Sequence, residues 1–159
     1  NDAIDIGRLT PFPIIMDRTI YCFLFMQLLI KRKFPEWHNS YQYGVQKIAE
    51  AVNNRTIKLP SKLILLEPND EETFLSRTKR GTSVPIFTHP ETWRFFSYAY
   101  GFILEKLYCA ENSLILFSEN TIESRQRLTE QTRNFLLRAD YRNTISTDKV
   151  ISVLNELGD

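Results

Sequence analysis

Glycine is scarce in this chain, 5 residues in 159, and histidine and cysteine are scarcer, with 2 of each. There is no glycine-rich phosphate loop, no G-x-S-x-G elbow and no H-E-x-x-H pair. His38 and His89 stand beside no evident nucleophile, and with Cys22 and Cys109 they show none of the paired spacings that zinc modules use. The residues therefore predict no catalytic centre, no cofactor, no metal and no identifiable small-molecule substrate. Charge of one sign is missing as well. With 20 basic and 19 acidic residues the formal net charge is +1, so no whole-protein field draws in nucleic acid or an acidic membrane. The most hydrophobic run, Ile20 to Ile30, is too short to cross a bilayer and follows Asp17 and Arg18, so no span is expected.

Two cysteines so far apart make no secreted disulfide framework, which points to a reducing, intracellular compartment, nuclear or cytoplasmic. Both lie among apolar residues, the usual setting of inert buried thiols. The chain opens on Asn1 without a charged-then-apolar leader and reads as a piece of something longer. Its length fits one domain, enough to bury roughly two-thirds of the surface of the unfolded chain. At 43% hydrophobic, 25% charged and 13% aromatic, disorder is not expected.

The residues point to a mainly α fold of about five to six helices organised around Thr88 to Tyr108. Thr88 stands three residues before Glu91 in capping-box spacing, and Pro90 falls in the first turn, where its missing N–H does no harm. Trp93, Phe96, Tyr100, Ile103 and Leu107 then recur at helical steps as one apolar stripe. Phe96, Tyr98, Tyr100 and Phe102 also alternate as a half-buried strand would, but the cap and the Leu104 to Leu107 continuation favour the helix. Ser97 and Gly101, one turn apart, form a notch that a second helix is expected to fill. The candidate is Ile14 to Lys33, which carries Ile20, Phe23, Leu24 and Leu28 on one side, more apolar residues on its flank, and Lys31, Arg32 and Lys33 at the negative end of its dipole.

Further helices are expected over Tyr41 to Val52, from an Asp70 cap through Arg77, over Ser118 to Ala139, and from Ser146 or Thr147 to a stop at Gly158. Pro60 breaks Thr56 to Leu66 and leaves a short extended segment at Leu63 to Leu66, followed by a turn at Glu67-Pro68-Asn69-Asp70. The apolar run Leu114 to Phe117 carries no assigned element. Residues 77 to 84 read as a polar internal loop.

The function expected from these features is a non-enzymatic protein–protein interaction or scaffolding domain of an intracellular assembly, with a protein partner or a homo- or hetero-oligomer. Its candidate contacts are Trp93, Tyr98, Phe102, Phe25 and Trp37, weighed against plain core filling. The alternative is a nucleic-acid-associated module using Lys31, Arg32, Lys33, Arg77, Lys79, Arg80 and Arg142.

One segment adds to that alternative. Arg142-Asn143-Thr144-Ile145-Ser146 runs into Asp148-Lys149-Val150-Ile151 and ends Leu154-Asn155-Glu156-Leu157-Gly158. About a tenth of the chain, it resembles the final loop and helix of histone-fold transcription subunits, such as the beta subunits of negative cofactor 2 and of nuclear factor Y. In that family a long helix precedes the loop, a place Ser118 to Ala139 would take. The resemblance implies a heterodimer with the loop near DNA phosphate, and no functional residue is carried over from it.

Overall fold

The computed structural model describes residues 19–57, 59–78, 89–119, 121–138 and 145–159. In chain order the elements are α1 (Ile20–Lys33), a 3-10 turn (Pro35–Trp37), α2 (His38–Asn53), β1 (Leu63–Pro68), α3 (Glu71–Thr78), α4 (Pro90–Leu107), β2 (Ser113–Ser118), α5 (Ile122–Leu137) and α6 (Thr147–Gly158). The chain is mainly α, with a small parallel sheet. Contacts group it into two compact units, Asn1–Pro60 with Ile145–Asp159, and Ser61–Thr144.

In the first unit α2 contacts both α1 and α6. Helix α1 buries Tyr21, Leu24, Phe25, Leu28 and Leu29, a stripe at steps of three and four. Leu24 and Leu28 of the expected side are buried, but Phe23 is 63% exposed, so the helix is not apolar-packed all round. Tyr41 of α2 is buried and its hydroxyl donates to the Leu154 carbonyl of α6 at 2.6 Å. The Lys31 ammonium donates to the Gly158 carbonyl at 2.7 Å and lies 6.0 Å from the centre of the Tyr41 ring, so a cation from α1 meets the negative end of α6. Val150, Val153, Leu154 and Leu157 form the buried side of α6, and Ser146 caps it by accepting from the Lys149 N–H, as the sequence predicts.

Glycine allows close approach at two places in this unit. A Cβ on Gly44 would come within 2.3 Å of the Gln27 Oε1 of α1, and one on Gly158 within 2.5 Å of the Tyr41 ring. The last helix ends at Gly158, as expected, and this glycine is also a contact residue, with no positive φ among the described glycines. The left-handed residue is Arg55, φ 55°. It closes α2 with Arg55 N–H to the Val52 carbonyl and Thr56 N–H to the Ala51 carbonyl, the paired bonds of a Schellman end.

The second unit runs β1–α3–α4–β2–α5. The strands are parallel and in register from Leu63↔Ser113 to Pro68↔Ser118, and a parallel pair requires a crossover, here α3 and α4. The extended segment expected at Leu63 to Leu66 therefore continues through Glu67 and Pro68, which were expected to turn. The unassigned run Leu114 to Phe117 is its partner. At the start of the sheet the buried Asn112 accepts from the Cys109 N–H at 2.7 Å, while its own carbonyl takes the Leu63 N–H. The Lys62 ammonium reaches the carbonyls of Leu136 and Arg138 at the end of α5. Cys22 and Cys109 form no disulfide among the described residues and are half-buried rather than fully enclosed.

Helix α4 forms as predicted, but its N-cap is His89, which accepts from the Glu91 N–H; Thr88 lies outside the described residues. Its buried stripe is Thr92, Phe95, Ala99, Ile103, Leu104 and Leu107: Ile103 and Leu107 are as expected, while Thr92, Phe95 and Ala99 take the places expected for Trp93, Phe96 and Tyr100. Among the described residues a Cβ on Gly101 would meet nothing within 4 Å. The polar loop expected over 77 to 84 lies outside the described residues beyond Thr78, the last residue of α3.

In urea unfolding, Gly158→Ala should lose about 1–3 kcal/mol through overpacking against a held ring. Gly101→Ala, in open space, should gain up to about 1 kcal/mol. Burial raises the Tyr41 phenol above its ordinary value of 10.0, with Arg32 opposing and Asp159 adding. A group raised on folding contributes fully below its unfolded value and loses that contribution as pH climbs past it. Stability should therefore fall above pH 10 more steeply in the wild type than in Tyr41→Phe, which near neutral pH should itself be about 1 kcal/mol less stable.

Candidate functional site

The carboxyl ends of β1 and β2 lie side by side, joined by the Asn69 N–H to the Ser118 carbonyl at 3.0 Å and by the Ser118 hydroxyl to the Glu67 carbonyl at 3.0 Å. Each strand then feeds a capped helix. Asp70 accepts from the Thr73 N–H at 2.7 Å, which holds its carboxyl below its ordinary value, and Thr121 accepts from the Ser124 N–H at 3.1 Å. In parallel α/β units this end of the sheet is where ligands are received.

Glu67 points its carboxylate into this region from the penultimate position of β1 and is 8% exposed. The Trp93 indole N–H donates to its Oε2 at 2.8 Å and the Ser97 hydroxyl to the same oxygen at 2.7 Å. The two donors stand one turn apart on α4, so the helix period aims both at one acceptor. The Trp93 ring stacks on Phe74 of α3, centroids 5.2 Å apart and planes at 17°. Arg94, the next residue, forms a short ion pair with Glu71 at the head of α3. The arrangement is an oriented acid at an aromatic wall. Among the described residues no three His, Cys, Asp or Glu side chains converge as metal ligands.

Of the candidate contact residues, Trp93 belongs to this site. Tyr98 and Phe102 lie together on α4, rings 6.2 Å apart, with Tyr98 55% exposed and Lys106 5.4 Å from the Phe102 ring. Phe25 is a correction: it is fully buried on the core face of α1 and offers no surface. The Trp37 side chain lies outside the described residues. Among the basic candidates, Lys31 is engaged with Gly158, while Arg32 and Lys33 are exposed at the end of α1. The Arg77 side chain, Lys79, Arg80 and Arg142 lie outside the described residues. A concavity along α5, lined by Ile122, Arg125, Gln126, Thr129, Glu130 and Arg133, is formed by one helix and is open to solvent.

Glu67 and Ser97 were not legible as partners. The available signal was an acid at the end of an apolar run, followed by proline, which reads equally as a turn. If the two donors hold the acid as described, Trp93→Phe should cost about 1.5–3 kcal/mol and Ser97→Ala somewhat less, the range for hydrogen bonds to charged groups. Glu67→Gln keeps an acceptor and should stay within about 1 kcal/mol of the wild type in the same denaturation series. Comparison of the chain with protein-family models, curated proteins and solved structures gives no match.

Proposed function

We propose that this chain is a non-enzymatic protein–protein interaction domain of an intracellular multi-protein assembly, and that its second unit receives a partner along β2. The observation that supports this is the exposure of Ile115 at 44% and Phe117 at 56%. They are alternate residues of β2 and so share one face. The sheet has only two strands among the described residues, so the second edge of β2 has no strand partner there. A free edge beside exposed apolar side chains is the usual template for an added strand, with main-chain bonds supplying affinity and the side chains register. Tyr98 on α4 adds apolar surface of the kind the sequence led us to expect. The nucleic-acid alternative has less support, since the formal net charge of +1 supplies no general attraction to phosphate. No helix among the described residues is long and apolar enough to cross a membrane.

The test is association of the wild type and Phe117→Asp, followed by sedimentation velocity and by cross-linking in extract from the native source. Phe117 is exposed, so the variant should fold normally. The wild type should self-associate or cross-link to a discrete protein, and the variant should lose at least about tenfold in affinity, as a charge placed in an apolar contact requires. A monomeric wild type without a cross-linked protein, or a variant that associates equally well, would overturn the reading.

A further inference from the structure

We infer that Glu67 receives an organic cation bearing N–H donors, an ammonium or guanidinium group. This inference is independent of the strand-addition reading. Glu67 is more than nine-tenths buried, yet among the described residues no Lys, Arg or His forms an ion pair with it. Acids this deeply placed are rarely left without a counter-charge. Its two hydrogen bonds both fall on Oε2. Oε1 is left without a partner among the described residues, and it is not one of the fully enclosed unpartnered oxygens, so solvent reaches it. An acceptor with open lone pairs on a carboxylate fixed by two donors is pre-organised for a third donor from outside.

The surrounding chemistry selects the class of that donor. The chain directly after β1 carries Asp70, Glu71 and Glu72, and Arg94 is already held by Glu71, so the local charge favours a cation. Charge-assisted N–H···O bonds are the strong ones available to a carboxylate, which favours ammonium and guanidinium over a neutral amide or hydroxyl. A divalent metal is a poor fit, since one free oxygen supplies a single ligand and no ligand group converges with it among the described residues. The Trp93 ring, bonded to the carboxylate through its N–H and stacked on Phe74, gives an alkyl stem an apolar wall to lie against.

The site is tested by titrating the full chain with butylammonium and butylguanidinium chloride while following the Trp93 indole N–H resonance, assigned through Trp93→Phe. Tetramethylammonium chloride, a cation without N–H donors, controls for charge and ionic strength. The wild type should show a saturable shift with both N–H cations. Binding should be at least about tenfold weaker for tetramethylammonium and for Glu67→Gln with butylammonium, the factor that one charge-assisted hydrogen bond supplies. Absence of a saturable shift up to roughly 10 mM butylammonium, an equal response to tetramethylammonium, or unchanged affinity in Glu67→Gln would overturn the inference. Should Glu67→Gln fail to fold, the contrast between the cations on the wild type decides alone.

Discussion

The hydrogen bond from the Tyr41 hydroxyl to the Leu154 carbonyl joins positions 113 residues apart and marks the contact through which the last helix completes the first unit. Residues 61–144 form a unit of their own between the two ends it connects. Helices α1 and α2 therefore complete their packing only when α6 returns to them. Closing so long a segment is entropically unfavourable, although the cost grows slowly with length. It is offset by burying Val150, Val153, Leu154 and Leu157 against α2. The ring of Tyr41 fixes how closely α6 approaches, Gly158 permits that approach, and Lys31 satisfies a terminal carbonyl beside it.

A related device serves the second unit. Lys62, just before β1, places its ammonium on the final carbonyls of α5, 5.8 Å from the centre of the Phe135 ring. In both units a lysine from one element thus meets the negative end of another element's helix. The opposite end of the β1–β2 pair is organised around an acid. Because the strands are parallel, the chain must cross over through α3 and α4, and that crossover carries Trp93 and Ser97 to Glu67. The geometry of the candidate site is therefore a consequence of strand direction.

Local chemistry was the legible part. Asp70 and Ser146 cap their helices because each side chain needs only the next turn of its own backbone, and Pro90 begins α4 for the same reason. The apolar side of α6 was readable because its period is clean and its other side is polar. On α1 and α4 apolar residues surround the helix, so periodicity did not choose between Phe23 and Phe25 or between Phe96 and Phe95. The neighbours chose, burying Phe25 and Phe95.

The sequence by itself determined the mainly α class, the starts of α3, α4 and α6 and the lack of any recognisable catalytic or metal motif, because these rest on interactions within a few residues. Only the tertiary structure decided that Leu114 to Phe117 is a strand, since a short apolar run becomes one when a partner accepts its backbone bonds. It also decided that Glu67 is a buried acid rather than a turn residue. Its donors stand 26 and 30 residues further along the chain and meet it only through the crossover.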